Sequence, residues 1–185
     1  APCLDEPGRG FAPTDPATSI EDGRLSGEKS AVPYAGVVEL LAVSAASADG
    51  PALALVPAAS ATIASEPTLD PTVQPALVAF DAVEVDRVVG DRARIESLAA
   101  VGGVLASAEA VGAAAQVLEL AREYAANRRQ FDRAIGSFQA VRHILADLYV
   151  KVESSWSSVL YAAASLDESE AGSSESPFFT FAATR

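Results

Sequence analysis

Methionine is absent from this 185-residue chain, and cysteine, histidine and tryptophan occur once each, as Cys3, His143 and Trp156. One cysteine excludes an intramolecular disulfide and any spaced thiol set for zinc. One histidine makes any Ser-His-Asp arrangement depend on His143, whose place one turn before Asp147 is the spacing of an ordinary contact along a helix. Positive charge is scarce as well: 13 Lys and Arg stand against 25 Asp and Glu, a net charge of -12. Such a surface repels nucleic acid and anionic membranes and keeps a protein soluble. The longest apolar run before residue 60, "YAGVVELLAVSAASADGPALALVPAA", is broken by Glu39, Asp49, Pro51 and Pro57, so it does not supply a membrane helix. The opening "APCLDEPGRG" has neither the basic start nor the apolar middle of a signal peptide, and its lack of methionine reads as a processed chain, a domain or a fragment. With its lone thiol, the expected compartment is the reducing cytoplasm.

Proline is nearly absent from the second half. Ten of the eleven prolines precede residue 90, where they and other turn residues separate short apolar runs: "LLAVSA", "ALALVP", "ATIA" and "ALVAFDAVEV". In the last of these Val78, Phe80, Val83 and Val85 alternate with smaller or polar neighbours, as a half-buried strand does, although Ala79 and Ala82 blur the period. Asp22-Gly23 is a strong hairpin turn signal, and Ser26-Gly27 reads as a second turn. Residues 1–90 are therefore expected to form a small antiparallel β domain of barrel or sandwich type.

Residues 91–185 are expected to be helical. Val101, Val104, Leu105, Ala108, Val111, Gly112 and Ala115 mark one face at spacings of three and four. A second helix, starting near Phe138, carries the stripe Val141, Ile144, Leu145, Leu148, Val152, Val159 and Leu166, with Trp156 as a packing residue. "DESEAGSSES" reads as a polar linker, and Ser176-Pro177 as the cap and start of a third helix that stops after about two turns. The fold class is α+β, a β domain followed by an antiparallel helical bundle.

Between the two helices lies "RRQFDRAIGSFQ". From Arg122 to Arg142 five arginines face only Glu123 and Asp132, a local balance of +3 in an acidic chain. Two readings are open. Arginine forks beside a helix N-terminus suit a phosphate. Alternatively, the cations offset the dipole of the preceding helix, with pairs such as Arg129 and Arg133 one turn apart and simply solvated.

The same corner resembles the C-terminal helical domain of acyl-CoA dehydrogenases. Tyr124, Arg128, Phe131, Ile135, Gly136, Phe138, Gln139, Leu145, Ala146 and Asp147 fall in the family's register without a gap. Upstream, "LDEPGRG" resembles the family's Leu-Thr-Glu-Pro-Gly start of the central β domain, "DGRLSGEKSAV" the following strand, and "LVAFDAVEVDRVVGD" the exit strand into the helices. The resemblance implies an incomplete acyl-CoA dehydrogenase fold, FAD as cofactor, an acyl-CoA substrate, and removal of its α-hydrogen as a proton and its β-hydrogen as a hydride. It further implies an oligomer in which Arg128, Phe131 and Gln139 reach across a subunit interface to a neighbour's FAD, around its diphosphate and adenosine.

The departures from that pattern cluster where the chain's own flavin ring would lie. Asp5 replaces the family threonine, "GFA" at residues 10–12 replaces Gly-Ser-Asp, and the tryptophan motif behind the ring is replaced around Ser30 to Val32. Asp132 replaces the glycine after Arg-x-x-Phe. The family's glutamate base has no counterpart at its alternative position, occupied by Gly102 and Gly103, and Glu109 and Glu119 lie one or two turns away; the catalytic base is unassigned. Glu66, Asp70, Asp81, Glu84 and Asp86 lack EF-hand spacing, and no metal site is expected. The expectation is a subunit that lends FAD contacts to a better-equipped companion, as in heteromeric enzymes acting on steroid side chains, with a non-catalytic scaffolding relative as the alternative.

Overall fold

The computed structural model describes residues 1–70 and 72–170. They divide into two compact units, Ala1–Ala99 and a second that begins at Ala100.

The first unit is a single eight-stranded sheet. Its strands are β1 (Pro2–Cys3), β2 (Ser19–Glu21), β3 (Arg24–Pro33), β4 (Leu40–Ser47), β5 (Gly50–Pro57), β6 (Thr62–Ser65), β7 (Pro75–Glu84) and β8 (Arg87–Gly90). The order is β6-β7-β3-β2-β4-β5-β8, with β1 also paired to β4. All four apolar runs singled out in the sequence are strands. The expected barrel or sandwich closure is not found: the path is open, ending on the four-residue strands β6 and β8, and short edge strands limit further pairing. Nor is the sheet wholly antiparallel. β1 and β2 both run parallel to β4, because the Pro-rich loop between them brings the chain back to the same strand in the same direction.

Asp22 and Gly23, at φ 48° and 75°, form the two-residue turn of the β2–β3 hairpin, as their types require. Ser26-Gly27 is not a turn. It lies inside β3 opposite an irregularity in which Ser26 faces both Asp81 and Ala82 of β7. Ala82 adopts φ 50°, and this extra residue shifts the inward period of β7 from Ala76, Val78 and Phe80 to Val83. A second bulge at Ser30-Ala31, with Ala31 at φ 51°, moves the inward position of β3 from Lys29 to Val32. The core gathers Cys3, Leu25, Val32, Leu41, Val43, Val56, Val78 and Phe80.

Helix α1 (Arg92–Asn127) starts on a capping aspartate, Asp91, whose Oδ1 accepts the Arg94 amide at 3.2 Å. Ile95, in its first turn, is fully buried, and the first two turns belong to the sheet unit, so the division falls at residue 99 instead of residue 90.

In the second unit α1 is followed by β9 (Arg129–Gln130), β10 (Arg133–Ala134) and α2 (Gln139–Glu170). The helices run antiparallel. Val104 of α1 meets Val159 and Ala162 of α2, with Ala108, Val111, Ala163 and Leu166 around them, and nearer the connection Ala115 and Leu118 share a cleft with Leu145, Tyr149 and Val152. Only part of each expected stripe lies on this seam. Leu105, Ile144 and Leu148 are exposed, and so is Trp156 at 44%, which is not a packing residue among the described ones. A pair of helices buries one seam, and residues beside it stay outside. α2 continues through Asp167–Glu170, part of the expected linker. The expected third helix lies outside the described residues. α1 also has an 18-residue window of mean hydropathy 1.6, long and apolar enough by length and composition to cross a membrane.

Candidate functional site

The arginine-rich corner is a two-stranded hairpin set between the long helices. Arg129 pairs with Ala134 and Gln130 with Arg133, leaving Phe131 and Asp132 as the two turn residues, both left-handed at φ 51° and 62°. That is the geometry of a tight hairpin turn, which ordinarily takes Asn or Gly at both places. Arg129 Nη2 donates to the Asp132 carbonyl oxygen at 2.6 Å across it. The hairpin is closed at its base where Ile135 N donates to the Arg128 carbonyl at 2.8 Å. Gly136 then passes so close to α1 that a Cβ there would lie 3.0 Å from the Ala125 carbonyl oxygen. One 3₁₀ turn, Ile135–Ser137, leads to Phe138, and Gln139 is the first residue of α2.

Arg128, Phe131 and Gln139 thus fall within the twelve residues 128–139, and each of the three is exposed. Arg128 has no side-chain hydrogen bond or ion pair among the described residues, and the Phe131 ring is 87% exposed. Phe131 stands edge-on to Phe138, centroids 6.1 Å apart, and the Arg133 guanidinium lies 4.0 Å over the Phe138 ring. Arg129 and Arg133 are therefore not one turn apart on a helix, as the solvated-pair reading required, because the chain is a hairpin there. Arg122 is held by Glu119, with Nε to Oε2 at 2.7 Å; this pairing keeps the Glu119 carboxyl below its ordinary range. No acidic side chain stands in the first turn of α2, so nothing on that turn neutralises its positive end.

The family-departing positions of the sheet unit also come together. The Ser30 amide donates to the Asp5 carbonyl at 3.1 Å, and Asp5 Oδ1 accepts the Glu6 amide at 3.0 Å. At the adjoining bulge the Ala31 amide donates to Glu66 Oε2 at 2.9 Å. In the loop after Asp5, Arg9 donates to the carbonyl and carboxylate of Asp15 at 3.2 and 3.4 Å. These groups are satisfied by the chain itself.

Beneath them lies a buried polar cluster that the sequence reading missed. Lys29 Nζ donates to Glu6 Oε1 at 2.8 Å and to Ser44 Oγ at 3.1 Å. Glu6 also accepts the amides of Ala17 and Thr18 and the Thr18 hydroxyl, at 2.8 to 3.0 Å. Burial alone would raise the Glu6 carboxyl, but the Lys29 ammonium and these donors outweigh it and hold it at about 2. The signal was available in "GEKSAV": with Leu25 and Gly27 inward, the period of two puts Lys29 inward too. Burial pushes the nearby Cys3 thiol up to about 12, which makes it an inert core residue.

No catalytic base emerges among the described residues. Gly102 and Gly103 lie in α1, Glu119 is paired with Arg122, and Glu109 and His143 are exposed. Of the acids weighed for calcium, Glu66 is engaged by Ala31 and Asp70 by the amide and hydroxyl of Thr72. Among the described residues no group of three His, Cys, Asp or Glu is placed to hold a metal.

Residues 93–185, half of the chain, match the acyl-CoA dehydrogenase C-terminal domain family. The chain belongs to the acyl-CoA dehydrogenases. It is 51% identical over 59 residues to the acyl-CoA dehydrogenase IpdE2 of Mycolicibacterium smegmatis, covering 32% of this chain and 19% of that one. Its fold follows a solved variant of the Tcur3481-Tcur3483 steroid acyl-CoA dehydrogenase, with a TM-score of 0.86 at 29% identity over 99% of this chain and 50% of that one. The ChsE4-ChsE5 complex from Mycobacterium tuberculosis gives 0.76 at 29% identity over 90% of this chain and 46% of that one. The chain spans half or less of the length of each of these acyl-CoA dehydrogenases. Members of the family bind FAD. Within the second unit the unpaired Arg128 guanidinium, the exposed Phe131 ring and the acid-free first turn of α2 are chemically suited to an anionic group carrying a planar ring, as FAD is. Within the first unit Asp5 and the bulge at Ala31 are engaged by the chain's own groups.

Proposed function

We propose that this chain is one subunit of a heteromeric FAD-dependent acyl-CoA dehydrogenase, lending Arg128, Phe131 and Gln139 to FAD held mainly by a companion subunit. One observation carries the reading: the corner keeps the Arg128 cation unpaired and the Phe131 ring exposed, while the positions that resemble the family's flavin-ring motif have lost it and are engaged by the chain's own groups. FAD, when bound, accepts the hydride from the β-carbon of the thioester. In this chain Arg128 offers a fork to the diphosphate, Phe131 a stacking face, and Gln139 an amide at the N-terminus of α2. The likeness to a steroid acyl-CoA dehydrogenase supports a bulky acyl-CoA thioester as substrate, and the paired names of both structural relatives support a two-component assembly. We read α1 as a bundle helix of a cytoplasmic enzyme, with neither membrane nor nucleic acid as partner; its seam with α2 through Val104, Ala108 and Val111 supports this.

The test is the visible absorption band of oxidised flavin in the full-length natural protein, purified alone and with its companion. Flavin is expected only in the complex and is expected to fall when Arg128 is changed to alanine. Flavin held by the lone protein would overturn the division of labour, and none in either preparation would leave a scaffolding role.

A further inference from the structure

The five arginines between Arg122 and Arg142 are not equivalent. Arg122 is tied to Glu119, Arg129 to the Asp132 carbonyl and Arg133 to the face of Phe138. Arg128 and Arg142 have no side-chain hydrogen bond, ion pair or ring contact among the described residues. An arginine that waits for an anion keeps its fork open; one that shapes the protein has it engaged.

We infer that Arg133 and Arg129 are positioning residues for Phe131, and that neither is an anion ligand. The warrant is the chain of contacts around a ring that has little else to hold it. Phe131 is 87% exposed and sits at φ 51°, where a non-glycine residue is strained and the neighbouring structure must fix it. Arg129 fixes the backbone from one side, bridging the turn to the carbonyl of Asp132 at 2.6 Å. Arg133 fixes the ring from the other: its guanidinium stacks 4.0 Å above Phe138, and Phe138 meets Phe131 at an interplanar angle of 84°. A cation over one face of Phe138 holds that ring in place as a wall for the edge-on contact. The result is an aromatic surface presented to solvent in one orientation, suited to a planar heteroaromatic ring. This division explains why a site for one diphosphate contains so many arginines.

The inference rests on the flavin reading for the identity of the planar ligand but not for the positioning itself, and the test separates the two. In the 185-residue chain carrying Trp156→Phe and Phe131→Trp, the introduced indole is the one tryptophan and reports on its own mobility through fluorescence anisotropy, with no flavin present. Arg133→Met and Arg129→Met are expected to lower that anisotropy, and Arg133→Lys, which keeps a cation over Phe138, to restore most of it while the thermal unfolding midpoint is unchanged. In the assembled complex with Phe131 intact, Arg133→Met is expected to weaken FAD binding roughly two- to fivefold, the size of an exposed cation–π contact, with Arg133→Lys near wild type. Unchanged anisotropy in Arg133→Met would overturn the inference, and weakened FAD binding in that same case would make Arg133 an anion ligand. If Arg128→Ala leaves FAD binding untouched, the flavin reading fails while the anisotropy result still decides the positioning.

Discussion

Lys29 Nζ lies 2.8 Å from Glu6 Oε1, with the lysine fully buried and the glutamate 8% exposed. The pair ties the Leu4–Gly10 segment to the middle of β3 and, through Ser44, to β4. Removing one partner leaves the other buried without its counter-charge, which costs about 3–5 kcal/mol. Glu6→Gln and Lys29→Met are each expected to lower the unfolding free energy read from urea denaturation by that amount, and the double variant to recover much of it. Single variants that unfold at the wild-type urea concentration would show that the pair contributes nothing.

The same pair sets an acid limit. Glu6 titrates near 2 when folded, against 4.5 for the ordinary carboxyl. A depressed folded value means that the stability it contributes is fully present above about pH 4.5 and is lost as pH falls toward 2. The amount is on the order of 3 kcal/mol. Chemical denaturation at intervals from pH 6 to pH 2 is expected to show this slope in the wild type and a flatter one in the Glu6→Gln, Lys29→Met double variant.

Gly27 is the position in β3 least tolerant of a side chain. Its φ is +136°, and a Cβ there would lie 2.8 Å from the backbone Cα of Thr18, whose amide and hydroxyl are both bound to Glu6. Gly27→Ala therefore combines backbone strain with a clash that moves Thr18 off the buried carboxylate. A loss on the order of 2 kcal/mol or more is expected in thermal or urea unfolding. Gly10→Ala, with open space around it, is the control and is expected to unfold like the wild type.

The strands, the Asp22-Gly23 turn and the two long helices were legible because each rests on local chemistry: period-two apolar runs, turn residues and the absence of proline. The arginine corner was legible through its register of Tyr124, Arg128, Phe131 and Gln139. What sequence did not show depends on bulges and on distant pairing. Ser26-Gly27 has turn composition yet lies in a strand, because the extra residue is accommodated in β7 at Ala82, more than fifty positions away. Lys29 was not singled out: its inward place follows the period of two from Leu25, but nothing local says that Glu6 will meet it. Arg129 and Arg133 were read on a helix, and a two-residue turn with Phe131 and Asp132 both left-handed has no strong sequence signal when neither is glycine.

That turn supplies a last prediction. Asp132 occupies φ 62°, a conformation that costs an L-residue about 1–2 kcal/mol, less for aspartate, and a glycine almost nothing. The Arg129 bridge ends on the Asp132 backbone carbonyl, so changing the side chain leaves that bond in place. Asp132→Gly is therefore expected to raise stability by up to about 1 kcal/mol, and Asp132→Val, whose branched Cβ suits this region poorly, to lower it by about 1–2 kcal/mol. Removing a carboxylate from the arginine corner also raises its local positive charge. FAD binding by the assembled complex is expected to be at least as tight in Asp132→Gly as in the wild type, and weaker binding would mean that the carboxylate itself takes part in holding the ligand.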